Sequence, residues 1–227
     1  MAMLGVSALL LLSGPALAAS SRSIVPVQAS TAPSNGDLNP YGLAVVPSGF
    51  PKGSTEAGQI LVSNFNNSSN VQGKGTSIVS IDPATGASTL FFAGTAGTPI
   101  GFTNALTVAK AGFVFAGSVP TTNVEGTDAT TGPLMVFNKN ATLEDQLSSS
   151  DGITSPWGMA LNDRGDSAQL FVSNVLDGTV ARVEVSFAKG KFSVVGSPVT
   201  VGEGYAFGTD PTAVVVGPAG LAYDSKT

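Results

Sequence analysis

Neither histidine nor cysteine occurs anywhere in this sequence. Without cysteine there is no disulfide framework and no thiolate nucleophile. Without histidine the commonest general base, the Ser-His-Asp triad and every His-containing zinc site are excluded from this stretch. Charge is also scarce, at 11% of residues, so solubility rests on Ser, Thr, Asn and Gly. A net charge of −5, with ten scattered Lys and Arg, excludes a general nucleic-acid binder, which needs many cations to neutralise phosphates. The mild acidic excess names no partner. No Gly-rich phosphate cradle, nucleophile elbow or paired-carboxylate motif stands out, and no cofactor is implied.

Long hydrophobic runs are missing too. The longest, Leu4 to Leu12, is nine residues and far too short to span a bilayer. It is followed by Ser-Gly-Pro and then Ala16-Leu17-Ala18, a small-x-small cleavage word. Together these are the h-region and c-region of a secretory signal peptide over residues 1–18. No Lys or Arg precedes the run, so either the free amino terminus supplies the charge or the true start lies upstream. The protein is therefore expected to be exported, to the periplasm or outside the cell, with no stable membrane span after cleavage.

A Ser- and Pro-rich lead occupies residues 19–39, with one short strand-like piece at Ile24 to Val27. Beyond it no helical period is evident. Short β-branched or aromatic bursts, bounded mostly by Gly, Pro, Asn, Asp or Ser, recur instead, which is the pattern of an all-β chain. "DPATG" at Asp82 to Gly86 and "LDGT" at Leu176 to Thr179 are turn words, the second a two-residue hairpin signal.

Some words recur. "NPYGLAV", "GFTNALTVA", "SPWGMAL" and "GPAGLAY" place Tyr41, Phe102, Trp157 and Ala219 at spacings of 61, 55 and 62 residues. Downstream, "ILVSN", "FVFAG" and "LFVSN" recur in step, each followed by a turn and another apolar strand. Four strands per unit at a fixed period is a β-propeller signature, here with strands expected near 41–46, 59–64, 76–82 and 87–93 of the first unit. The units are expected over 40–95, 99–150 and 151–212, with a fourth begun at 213–227. The surplus length sits in polar loops such as 64–75 and 118–132.

The third unit resembles an NHL repeat at Pro156, Gly158, Met159, Ala160, Gly165, Leu170, Val172, Asn174 and Arg182. The first unit matches at Pro40, Gly42, Leu43, Ala44, Leu61, Val62 and Asn64; the second has lost the Pro and Gly. NHL-type chains are typically six-bladed, so the resemblance implies an incomplete arc of four-stranded antiparallel blades. Such an arc would leave apolar sheet faces uncovered at each end, and its gene is expected to continue past Thr227.

Tyr41, Phe102 and Trp157 share one position, just before the innermost strand. In a propeller they either line a ligand-stacking mouth at the central channel or act as packing wedges between blades. Asn64 and Asn174, in register with Gly117, end the second strand; they either face a ligand or adopt a left-handed conformation and bond their own turn. "NFNNSSN" over 64–70 is a polar loop with sequons at Asn66 and Asn67, and Asn140 begins another. Arg164-Gly165-Asp166 falls where a hairpin turn is required. Asp151, Asp163, Asp166 and Asp177 are oxygen donors of the kind that bind calcium, but their spacing matches no known loop.

The expected function is a non-enzymatic binding or scaffolding module for a protein, peptide or carbohydrate. The alternative is an enzyme resembling gluconolactonases or virginiamycin lyases. The resemblance would assign those a Glu/Asn/Asp-held metal or a catalytic histidine, supplied by further blades. Export makes a direct prediction: N-terminal sequencing of the secreted protein should begin at Ala19, and an intact Met1 in that fraction would refute it.

Overall fold

Short apolar runs separated by tight turns favour antiparallel hairpins, because the turn already brings the strand ends together. The computed structural model describes residues 26–95 and 97–226; the predicted signal segment and most of the lead's strand-like piece lie outside them. Pro26 and Val27 carry no strand.

The described residues are all-β and form three consecutive four-stranded sheets. The first contains β1 (Leu38–Val45), β2 (Ile60–Asn66), β3 (Ser77–Ile81) and β4 (Ser88–Ala93). The second contains β5 (Phe102–Ala109), β6 (Phe113–Ser118), β7 (Leu134–Asn138) and β8 (Leu143–Leu147). The third contains β9 (Pro156–Asp163), β10 (Ser167–Asn174), β11 (Thr179–Ser186) and β12 (Ser193–Gly202). Within each sheet the order in space follows the chain, and every neighbouring pair is antiparallel. A separate hairpin of β13 (Gly208–Asp210) and β14 (Val214–Val216), not anticipated in the sequence, follows. Residues 217–226 carry no strand.

Turn chemistry acts locally. Gly86 N–H donates to the Asp82 carbonyl at 2.8 Å, and Gly86 takes the φ of 75° that glycine tolerates best. The Arg164–Asp166 segment is a hairpin turn closed by Arg164 N–H to the Ser167 carbonyl at 2.9 Å. The "LDGT" connection is longer than the two-residue form, since β10 ends at Asn174 and β11 starts at Thr179.

Apolar side chains fill the spaces between sheets. Val46, Leu61, Ile78 and Phe91 of the first unit meet Phe102, Val108, Val114 and Phe137 of the second. Phe113, Phe115, Leu134 and Val136 of the second meet Leu170, Val172, Val183 and Val185 of the third. The first strands lie side by side, β1 against β5 and β5 against β9.

One kind of polar link recurs beside those first strands. Ser63 Oγ accepts Gly42 N–H at 3.1 Å and donates to the Thr103 carbonyl of the next sheet at 3.0 Å. Ser173 does the same, accepting Gly158 N–H at 3.0 Å and donating to the Ala219 carbonyl at 2.6 Å. The second sheet has Ala116 in the serine's place, and Thr103 takes over. Its hydroxyl accepts Ala105 N–H at 3.2 Å and donates to the Pro156 carbonyl at 2.7 Å. The approach is so close that a Cβ on Gly42 would lie 2.7 Å from the Thr103 carbonyl oxygen, and one on Gly158 only 1.9 Å from that of Ala219. The Pro-x-Gly word therefore marks a steric requirement.

The outward faces at the two ends differ. On the first sheet Leu43, Val45 and Leu90 are 64%, 60% and 48% exposed, and the lead segment covers part of the same apolar face beside Val62 and Ile81. On the third sheet the corresponding face carries Asn162, Gln169, Glu184 and Arg182, and Tyr223 stacks on Phe171 with centroids 5.6 Å apart.

Replacing Gly158 by Ala forces this contact open. The expected cost is about 1–3 kcal/mol, read as a Tm drop of several degrees, whereas Gly220→Ala, which meets nothing within 4 Å, should leave Tm unchanged. Equal effects from the two variants would contradict the close approach.

Candidate functional site

The loop lengths separate the two ends of the sheets. One end carries the connections 67–76, 119–133, 148–155 and 203–207; the other carries mostly short turns, with 46–59 the long exception. The starts of β1 and β9 open onto the loop-rich end, and it is here that Tyr41 and Trp157 are found.

Tyr41 and Trp157 come together, with ring centroids 5.6 Å apart in an edge-to-face arrangement. Both sit at an irregularity of the ladder, between Pro40 and Gly42 in one sheet and between Pro156 and Gly158 in the other. Phe65, the penultimate residue of β2, had no counterpart in the recurring words and completes the group. It stacks on Tyr41 at 5.4 Å and meets Trp157 edge-on at 5.6 Å. Phe65 and Trp157 are buried, while Tyr41 is 42% exposed. Val119, Val175, Val214 and Val215 pack around the buried pair.

Phe102 is elsewhere. Strand pairing runs from Phe102 opposite Ser118 directly to Leu106 opposite Ala116, so Thr103, Asn104 and Ala105 bulge out between them. The bulge shifts Phe102 out of register with Tyr41 and Trp157. It is fully buried between the first and second sheets, 6.1 Å from Phe92. The Pro and Gly that keep the other two units in register are the residues this unit lacks.

Asn64 and Asn174 are buried and neither adopts the left-handed backbone; Asn174 ends β10, but β2 continues past Asn64 to Asn66. Asn174 is saturated: its Oδ1 accepts Thr154 and Ser155 N–H, and its Nδ2 donates to the Gly152 carbonyl and Thr179 Oγ1. It fastens the segment entering β9 to the end of β10. Asn64 Nδ2 reaches the Thr31 carbonyl of the lead at 2.8 Å and Ser77 Oγ at 3.1 Å, and its Oδ1 is sealed without a partner among the described residues. Both side chains face the protein.

The acidic residues act in turns. Asp163 accepts Gly165 N–H and Lys110 N–H, Asp177 accepts Thr179 N–H, and Asp151 accepts Ser148 N–H. Among the described residues no three His, Cys, Asp or Glu side chains converge as metal ligands. No helix among them is long and apolar enough to cross a membrane. Of the sequons, Asn66 is buried and bonded to Asn70, whereas Asn140 is exposed in a hairpin turn.

No protein-family model matches this chain, and no curated protein is significantly similar to it. The site is therefore read from its own geometry.

Two aspartates organise the loop-rich end. Asp128 accepts the Thr122 hydroxyl and the Asn123 and Thr122 N–H groups, and these bonds, the hydroxyl first, hold its carboxyl below the ordinary 3.8. Asp210 turns β13 into β14: Ala213 N–H and then Thr212 N–H hold its carboxyl below 3.8 as well. That hairpin carries Val214, at a left-handed φ of 66°, and Val215 onto the Trp157 cluster. Folding lowers the Asp210 pKa, so its contribution is complete above 3.8 and is lost as pH falls through the lower folded value. The emission of Trp157 should shift to the red in that acid window in the wild type. Asp210→Ala should show the shift already at neutral pH and titrate flat; superimposable titrations would refute the coupling.

Proposed function

We propose that the three sheets are successive blades of an exported, NHL-like β-propeller whose loop-rich end is a non-enzymatic binding or scaffolding surface centred on Tyr41. The side-by-side first strands, each tied to the next unit by a hydroxyl-to-carbonyl bond, support the blade reading. The observation that carries the binding reading is Tyr41 itself. A half-exposed ring stacked on one buried ring and edge-on to another is a preorganised contact surface with little rotamer freedom left to lose on binding.

The chemistry of that surface is aromatic, surrounded by hydroxyl- and amide-rich loops, and suits a carbohydrate face or an extended peptide. Trp157 is the single tryptophan of the chain and touches Tyr41, so its fluorescence reports on this cluster. Glycan and peptide arrays, followed by titration of each hit, should yield a saturable change in Trp157 emission. Tyr41→Ala should weaken binding by about tenfold or more, the scale of losing one aromatic contact. Hits that bind equally well to Tyr41→Ala, or no hit in either class, would overturn the assignment.

A further inference from the structure

Away from the Tyr41 ring, the loop-rich end of the first sheet holds an open recess of about 440 Å³, within the ~300–1,000 Å³ range of small-molecule sites. Asp37, just before β1, lines it and is only 3% exposed. Its two carboxylate oxygens are treated unequally. Oδ2 accepts Thr76 N–H at 2.7 Å, the Thr76 hydroxyl at 3.1 Å and Asn35 Nδ2 at 3.1 Å. Oδ1 accepts nothing from the described residues, and it is not among the atoms sealed from solvent.

A buried carboxylate is ordinarily paired with a cation. None pairs with Asp37, since the ion pair among the described residues is Arg182 with Glu184. A metal ion is a poor candidate, because hard cations take six or more oxygen ligands and no second carboxylate lines the recess. The ligand group that gains most from a lone carboxylate oxygen open to the recess is an ammonium, through a charge-assisted hydrogen bond.

Lys74 lines the same recess with only a 3.5 Å contact to the Thr122 carbonyl, leaving ammonium protons unused. It repels a simple amine or polyamine but attracts a carboxylate. The lining also includes the small residues Ala93, Gly94 and Pro99, with no aromatic ring on which a sugar could stack. We infer that this recess binds a small zwitterion of the free α-amino-acid class, its ammonium on Asp37 Oδ1 and its carboxylate on Lys74. The inference is independent of the Tyr41 surface and would survive the failure of that reading.

The test is calorimetric titration of the full chain with each of the common free α-amino acids, their N-acetyl derivatives, their methyl esters and glucose. At least one free amino acid should bind saturably. Blocking either end of it, or introducing Lys74→Gln, should weaken binding by about tenfold or more. Asp37→Asn keeps an acceptor for Thr76 and should abolish binding with the fold intact by circular dichroism. Lys74→Gln is a surface change that preserves the test if Asp37→Asn fails to fold. Absence of binding by any amino acid, binding indifferent to Lys74→Gln, or binding of glucose alone would overturn the proposal.

Discussion

Everything in this structure depends on how closely the first strand of one sheet approaches the next. Packing at that distance leaves no room for a Cβ at Gly42 or Gly158, and it brings the Thr103, Pro156 and Ala219 carbonyls up against the neighbouring sheet. A hydroxyl serves both sides, because it accepts an N–H from its own sheet and donates to the neighbour's carbonyl. Each such bond contributes only about 1 kcal/mol net, but leaving a buried carbonyl unpaired costs about 1–3 kcal/mol. The constraint is on chemistry more than on position. Where Ala116 stands in place of the serine, Thr103 delivers the same bond from the other strand.

The close approach also decides what the loop-rich end can present. Bringing β1, β5 and β9 together draws the starts of β1 and β9 within ring contact, so Tyr41, Phe65 and Trp157 form one cluster across two sheets. The buried rings hold the exposed one. Around them Asn174, Asp128 and Asp210 spend their polar groups on backbone N–H bonds that shape the loops. Asp37 differs, since one of its oxygens does this work and the other does not.

The candidate residues were unequally legible. Tyr41 and Trp157 were marked by an unbroken Pro-x-Gly word, which keeps their ladder irregularity the same in both sheets. Phe102 was placed beside them by spacing alone, and spacing misleads where a bulge absorbs residues. Phe65 sits one residue past the end of the "ILVSN" word, so no sequence signal tied it to the others. Asn64 and Asn174 were singled out by the recurring word; only Asn174 ends its strand, and both side chains turn to internal carbonyls. Asp37 looked like an ordinary residue of a Ser/Pro-rich lead, because its partner Thr76 lies 39 residues away in the chain.

From sequence alone the all-β class, most strand bursts and the turns at Asp82–Gly86 and Arg164–Asp166 followed, because β-branching and Gly or Asp turn chemistry act over a few residues. The missing histidine and cysteine likewise restricted the chemistry without any coordinates. What only the tertiary structure decided were the long-range matters: which aromatic rings meet, which amides are saturated, and which carboxylate oxygen is left over. Those depend on sheet-to-sheet distance and on one bulge in β5, and such distances are set by packing between segments that no local pattern connects.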